Sequence, residues 1–210
     1  METGKVAENL YVLKDSHVNL YAYVKNGAVV CVDAGFGGTD LVSGFRSIGV
    51  NPASVGHLFL THSDRDHVGG VSLFVNASVY LSKEEEQLIN GKTPRMLWSY
   101  NKLPASQHYT LLSDGDVVNA CGISVQALAT PGHTLGSMSY ILDGRILCSG
   151  DALMLRDGKA VPTFRLMNMN TSLGEESMRK LAQLEGISLL CTSHSGCTAD
   201  FKKAMAAWHR

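Results

Sequence analysis

Between Thr61 and Gly70 the chain reads Thr-His-Ser-Asp-Arg-Asp-His-Val-Gly-Gly, which puts two imidazoles and two carboxylates into the six residues His62 to His67. The segment follows an apolar run, His57 to Leu60, that reads as a strand. In extended backbone, side chains two apart point the same way, so His62, Asp64 and Asp66 can converge on one pocket while His67 turns in from another angle. Four donors from one short loop are more than a single tetrahedral ion takes from contiguous backbone, so the spacing suggests ligands shared between two ions. The bland reading is a solvated loop capping a helix that starts near Val68, with Asp66 set against the helix dipole.

A metal site also needs ligands from distant strands, and three later segments each offer one just past an apolar run. These are Thr130-Pro131-Gly132-His133-Thr134, Cys148-Ser149-Gly150-Asp151 and Thr192-Ser193-His194-Ser195-Gly196. A lone histidine is more often a satisfied loop residue than a ligand. Three such residues in series change that balance.

The order HxDxDH, PGHTxGS, GD and a late histidine resembles the metallo-β-lactamase superfamily, and the resemblance covers nearly the whole chain. Val32-Asp33-Ala34-Gly35 is similar to that family's early strand-end Asp-x-Gly. Position by position, the resemblance implies that His62, Asp64 and His133 serve one metal and that Asp66, His67 and His194 serve another. Asp151 would bridge the two, with a water or hydroxide completing both. The implied cofactors are two divalent ions, zinc, iron or manganese.

Asp64 departs from the common motif, which has histidine there. With Asp64, Asp66, Asp151 and a bridging hydroxide, four negative charges would cancel two divalent ions, where the usual motif leaves a net of plus one. A neutral cluster polarises a carbonyl less and lowers the pKa of bound water less. Carboxylate oxygen also moves preference from zinc toward iron or manganese. The flavodiiron oxygen-reductase branch resembles this chain in carrying a carboxylate at the same point.

The 210 residues, 45% of them hydrophobic, are expected to form one domain spanning 1–210 with a sizeable core. Net charge is −1 and basic residues such as Lys83, Arg95, Lys102, Arg145 and Arg179 look scattered, so no nucleic-acid surface is expected. Apolar runs such as Ala28 to Val32 are far shorter than a membrane span, and Met1 to Leu10 has no apolar signal core. A cytoplasmic location with no membrane partner is the expectation. Five cysteines without a CxxC pair disfavour a disulfide framework. Cys197 is read as a bystander near the site mouth.

Strands are expected at Leu10 to Lys14, Leu20 to Lys25, Ala28 to Ala34, His57 to Leu60 and Val79 to Leu81, with Asn26-Gly27 as a hairpin turn. Helices are expected from Asp40 to Ile48 and from Val68, and Ser82 with Glu85 forms a capping box for a third. In the second half, strands at Thr110 to Leu112, Asp116 to Val118, Ile123 to Ala129, Ser139 to Leu142, Arg145 to Cys148 and Ser188 to Thr192 are joined in part by the turn Asp143-Gly144. A helix capped by Thr171 or Ser172 runs to about Leu184, and Ala199 to His209 closes the chain. Strands in both halves with flanking helices suggest two sheets face to face with helices outside. The resemblance implies the same α/β class, a four-layer αββα sandwich of two mixed β-sheets.

Gly91 to His108 and Leu153 to Asn170 lack clear periodicity and are candidate pocket walls, through Met96, Trp98, Tyr100, Phe164, Met167 and Met169. Individually, most of these residues read as pins for long loops. His17, His57, His108 and His209 have no motif context.

The leading functional reading is a dinuclear metallohydrolase acting on a small ester, thioester, lactone or phosphodiester. Asp66 and Asp151 are the catalytic carboxylates, and a metal-bridging hydroxide is the nucleophile. Thr134 and Ser137 are expected to hold the His133 loop, and Asp33 to support the ligands from behind. The substrate-binding residues and the oligomeric state are not assigned. The pattern is similar to glyoxalase II, without a counterpart of that branch's C-terminal glutathione-binding helical region. One alternative is an iron redox enzyme, either a flavodiiron-like oxygen or nitric-oxide reductase module or a sulfur dioxygenase relative. Another is a non-catalytic, metal-stabilised binding protein.

Overall fold

A computed structural model describes residues 1–104 and 107–209. Strands β1 (Gly4–Ala7), β2 (Leu10–Asp15), β3 (Val18–Lys25), β4 (Ala28–Val32), β5 (His57–Phe59), β6 (Ser78–Ser82) and β7 (Tyr109–Leu112) lie side by side in chain order. The first four form an antiparallel meander, and β4 to β7 run parallel. The second sheet contains β8 (Val117–Ala120), β9 (Ile123–Ala129), β10 (Met138–Leu142), β11 (Ile146–Cys148), β14 (Leu189–Thr192) and β15 (Gly196–Thr198), in the order β15-β14-β11-β10-β9-β8. Its one parallel pair is β11 with β14. A separate hairpin joins β12 (Met154–Arg156) to β13 (Lys159–Val161).

Period-2 alternation explains the layers. In β4, Val30 and Val32 face the second sheet, where they share a core with Phe59, Val125, Tyr140 and Cys148. Val29 and Cys31 face the other way, into a layer with Leu41 and Phe45 of α1 (Thr39–Ser47). On the far side, Ile141, Leu147 and Leu190 pack against Met178 and Leu181 of α4 (Thr171–Ala182) and Phe201 and Met205 of α5 (Phe201–Met205). The result is the αββα sandwich. Because both faces of each sheet are covered, the central strands read as continuous apolar runs. The turns Asn26-Gly27 (φ 52° and 81°) and Asp143-Gly144 (φ 46° and 69°) adopt the left-handed backbone that two-residue hairpins need.

Several local readings are corrected. The helix expected from Val68 is instead one turn, α2 (Arg65–Val68), with Asp66 and His67 inside it. Gly69 and Gly70, at the end of this turn, have no room for a side chain. A Cβ on Gly70 would lie 2.2 Å from the Ala34 carbonyl oxygen, and one on Gly69 2.6 Å from that of Phe36, so both glycines let two backbone segments touch. Ser82 and Glu85 form no capping box: Ser82 Oγ accepts from Glu84 N, and α3 (Glu86–Ile89) has no side-chain cap. The cap of α4 is Asn170, whose Oδ1 accepts from Leu173 N at 3.0 Å. The closing helix is shorter than Ala199 to His209, ending at Met205. The hairpin β12–β13 was legible in Asp157-Gly158 (φ 50° and 71°), a turn signal inside a stretch read as aperiodic.

Polar bonds join the two sheets at one end. Met138 N donates to Thr61 O (2.8 Å), Tyr140 Oη to Leu60 O (2.9 Å), Tyr21 Oη to Thr192 O (2.7 Å) and Asn19 N to Ser193 O (2.7 Å). All four lie where β5 and β14 release the loops that carry His62 and His194.

Candidate metal centre

Where β5 ends, Thr61 N donates to Asp33 Oδ1 at 2.7 Å and Thr61 Oγ donates to the same carboxylate. That anchors the backbone before it turns through Asp64, the N-cap position of α2, into the single turn bearing Asp66 and His67. Asp33 has φ 65°, a left-handed conformation that Asp tolerates better than most residues. The PGHT loop, the Gly150-Asp151 turn after β11 and the Ser193-His194 turn after β14 bring in the remaining groups.

All seven expected residues meet. Ligand-capable atoms converge in three overlapping groups, His62/Asp64/His133, His62/His67/Asp151 and Asp66/His67/His194, with the atoms of each group within 4.8 Å of one another. The imidazoles are oriented alike. His67 Nδ1 faces Asp33 Oδ2 at 2.9 Å, His133 Nδ1 faces Asn168 Oδ1 at 3.2 Å, and His194 Nδ1 faces the His17 carbonyl at 3.0 Å. These partners accept, so each Nδ1 carries the hydrogen and each Nε2 lone pair points inward. Thr61 Oγ has spent its one hydrogen on Asp33 and so accepts from His62 Nδ1 at 3.0 Å. Backing of this kind sets the tautomer and ring angle of metal-binding histidines.

Three buried atoms at the centre, His62 Nε2, His67 Nε2 and Asp151 Oδ1, have no hydrogen-bond partner among the described residues. Buried acceptors are costly to leave unpaired, and a mixed imidazole and carboxylate set of this kind fits a divalent cation. The electrostatics agree. Burial would raise the Asp151 pKa, yet the His67, His194, His62 and His133 imidazoles hold that carboxyl well below the usual range. Burial would lower the His67 pKa, but Asp33, Asp151 and Asp66 raise it to about 10. The pocket thus attracts positive charge strongly enough to hold a proton where a metal can sit.

Within the His133 loop, Thr134 N donates to Ser137 Oγ at 3.0 Å. Glu85, fully buried, is the missed residue behind them. Its Oε1 accepts from Ser63 N (2.8 Å) and Ser63 Oγ (2.6 Å), and its Oε2 from Thr134 Oγ (2.6 Å) and Gly136 N (3.1 Å). One carboxylate therefore clamps the HxDxDH loop to the PGHT loop. In the sequence it sits in the polar run Lys83-Glu84-Glu85-Glu86-Gln87, where nothing sets it apart from its neighbours.

Arg95 is the second omission and a correction. It is not one of a scatter of surface cations but 6% exposed, and its fork grips Asp64 through Nε–Oδ1 (2.7 Å) and Nη2–Oδ2 (2.9 Å). The charge count made from the sequence therefore lacks one positive charge. Burial would raise the Asp64 pKa, but the neighbouring His133 and His62 imidazoles and the Arg95 guanidinium hold the carboxyl far below its ordinary value.

His17, set aside for want of context, stacks on His194 with ring centroids 5.7 Å apart and brings Nε2 to 3.7 Å from Asp66 Oδ2. A cleft of about 320 Å³ opens over the site between His17 and a wall made by Met154, Thr163, Phe164 and Met167. Trp98 neither lines this cleft nor pins its loop, being 88% exposed. Cys197 faces Cys191 (3.2 Å) and Tyr21 Oη (3.5 Å), away from the site mouth.

Comparison with known proteins identifies the family of the chain. The sequence profile of the metallo-beta-lactamase superfamily matches residues 13–194. The uncharacterized protein YobT of Bacillus subtilis (strain 168) is 32% identical over 160 residues, covering 69% of this chain and 65% of YobT. Hydroxyacylglutathione hydrolases of Erwinia tasmaniensis and Salmonella arizonae are 29% and 30% identical over 149 and 158 residues, in each case 71% of this chain. This chain spans 51% of the length of those two hydrolases. In structure, the metallo-beta-lactamase family protein TTHA1429 from Thermus thermophilus superposes with a TM-score of 0.70 at 23% identity, over 96% of this chain and 78% of the other. A B3 metallo-beta-lactamase with an active site glutamic acid gives 0.72 at 21% identity, over 95% and 84%. At those identities the likeness speaks to the fold alone.

Proposed function

We propose a metal-dependent hydrolase of small acyl substrates, starting from the premise that the chain belongs to the metallo-β-lactamase superfamily. The observation that carries the reading is the trio of partnerless buried atoms, His62 Nε2, His67 Nε2 and Asp151 Oδ1, at the floor of an open cleft. A divalent ion bound there supplies Lewis-acid polarisation of a carbonyl oxygen and activates water as a nucleophile. Asp66, His67, Asp151, His194 and His62 are the residues that would hold it.

The chain's own groups do the rest. Asp66 is part-exposed at the cleft and its Oδ2 lies 3.5 Å from His194 Nε2 and 3.7 Å from His17 Nε2. It is placed to take a proton from attacking water, and His17 to pass that proton to solvent. Asp33, the Asn168 amide and the His17 carbonyl keep the imidazoles in the tautomer that leaves Nε2 free. Phe164, Met154 and Met167 offer an apolar wall for an acyl chain and shield the reacting carbonyl from bulk water.

Among ester, thioester, lactone and phosphodiester, a thioester is the best-supported substrate, because the hydroxyacylglutathione hydrolases match across most of the chain. The test is a chromogenic acyl-thioester and its oxygen-ester counterpart, assayed with metal-loaded and chelated protein alongside oxygen uptake. Metal-dependent hydrolysis favouring the thioester, lost on the order of 100-fold or more in Asp66→Asn, is expected. Metal-dependent oxygen uptake with no hydrolysis would overturn the proposal in favour of redox chemistry.

A further inference from the structure

The two halves of the site differ in a way the ligand pattern does not show. In the half made by Asp66, His67, Asp151 and His194, no arginine or lysine hydrogen-bonds or ion-pairs with any of these groups among the described residues. In the half made by His62, Asp64 and His133, a guanidinium is already present. Arg95 Nε and Asn101 Nδ2 both donate to Asp64 Oδ1, at 2.7 and 2.8 Å. The two hydrogens of Arg95 Nη2 serve the Met167 carbonyl at 2.8 Å and Asp64 Oδ2 at 2.9 Å, and the same nitrogen lies 3.1 Å from His133 Nε2, which is also 3.1 Å from Asp64 Oδ2.

The lone-pair count shows how far the guanidinium already serves this half. A carboxylate offers about four acceptor positions and a neutral imidazole one. Three of those on Asp64 are taken by N–H donors, and the single lone pair of His133 Nε2 faces the guanidinium at 3.1 Å. The tautomer argument fixes that lone pair as the acceptor, because His133 Nδ1 has given its hydrogen to Asn168. Of the three groups that would form the first metal position, Asp64 keeps one acceptor position and His133 faces the guanidinium, while His62 Nε2 also belongs to the group with His67 and Asp151.

We infer that Arg95 is a tethered cation occupying the place of the first metal, so that the chain holds one tightly bound divalent ion, on Asp66, His67, Asp151 and His194. This rests on the metal-centre reading above and revises the count of two ions expected from the sequence. Charge supports it. The carboxylates of Asp64, Asp66 and Asp151 are balanced by one divalent ion and one guanidinium. A second dication would have to sit against a buried guanidinium whose Nη2 is 3.1 Å from His133 Nε2, in a poorly screened site. A guanidinium also polarises without exchanging, so His62 and His133 keep their aim whatever the metal supply.

The experiment is stoichiometry, independent of turnover. Chelator-treated full-length protein is titrated calorimetrically with Zn²⁺ and with Mn²⁺, and its metal content is counted after gel filtration. Wild type should bind one ion per chain tightly, with any second ion at least about 100-fold weaker. Arg95→Met, which frees Asp64 and His133, should bind two. Arg95→Lys, keeping the charge but losing the fork, should fall between them and serves if Arg95→Met does not fold. Two ions of similar affinity in wild type, or one ion in the folded Arg95 variants, would overturn the inference. No binding would overturn it together with the metal-centre reading, whereas one bound ion without hydrolysis would count against the hydrolase proposal alone.

Discussion

Replacing Glu85 is the most informative test of how the site is held, because its four hydrogen bonds divide cleanly by what each donor can do when abandoned. In Glu85→Ala the hydroxyls can re-aim: Thr134 Oγ lies 2.8 Å from Ser137 Oγ, and Ser63 Oγ already accepts from Asn101 at 2.9 Å. The amides of Ser63 and Gly136 cannot. They are buried on fixed backbone, and a Cβ at Gly136 would come within 2.1 Å of Glu85 N, so the two segments have no slack. Two stranded buried amides at about 1–3 kcal/mol each give roughly 4 kcal/mol. For a chain of this length that lowers the melting midpoint by about 8–16 °C. Glu85→Gln keeps the shape, but its NH2 group must face one of the two amides, so about 2 kcal/mol is lost whichever way it turns. Urea unfolding of the three proteins under saturating metal and in chelator reads both numbers. Metal affinity in Glu85→Ala should fall about 10- to 100-fold, since both ligand loops lose their tie. An Ala variant within about 1 kcal/mol of wild type, or a Gln variant as unstable as Ala, would refute the reasoning.

Asp64→Ala should cost about 3–5 kcal/mol by leaving Arg95 buried and unpaired, and adding Arg95→Met should restore part of that loss, a coupling that a double-mutant cycle of unfolding free energies measures. Metal-free protein should lose stability as pH rises from neutrality toward 10. Its His67, raised to about 10 chiefly by Asp33 and Asp151 against burial, stabilises the fold fully below its ordinary 6.5 and not at all once deprotonated in the fold. Asp151 and Asp64, both depressed, give the opposite limb, with stability present above about pH 4 and lost in acid. Thermal melts across pH with and without chelator should therefore diverge most above pH 8, and parallel curves would remove the account. Gly70→Ala should fold poorly or bind metal weakly, because its Cβ would meet the Ala34 carbonyl at 2.2 Å, and a wild-type melting midpoint would contradict that.

The sequence made the ligands and the layers legible for one reason: both are local patterns. HxDxDH, PGHT and Gly-Asp each sit at the end of an apolar run, and a strand end is where a chain leaves a sheet and can aim a side chain outward. The double-sided burial of β4 and β14 likewise shows in their unbroken runs of apolar residues. Arg95, Glu85 and His17 were hidden because their roles depend on distance in space. Arg95 and Asp64 are 31 residues apart, and Glu85 and Thr134 are 49. His17 serves the site through its backbone carbonyl, which carries no residue signature. The charge of the cluster was misjudged for the same reason, since counting ligands in a motif omits a cation delivered from an aperiodic loop.

The four polar bonds that join the sheets beside the ligand loops give the sandwich an unequal tolerance to change. At the far end the ties run between side chains that can re-aim, Tyr23 Oη and Lys25 Nζ both donating to Asp143 Oδ2, and there a lineage can exchange Val for Ile or Leu for Met and let the layers shift a little to absorb it. At the ligand end a slip of even a fraction of an ångström would pull Tyr140 from Leu60 and Tyr21 from Thr192. Sequence drift in the core should therefore collect at the far edge, like play in a hinge whose pin sits at the other end, while the cleft walls remain free to be rebuilt for new substrates above an unmoving floor.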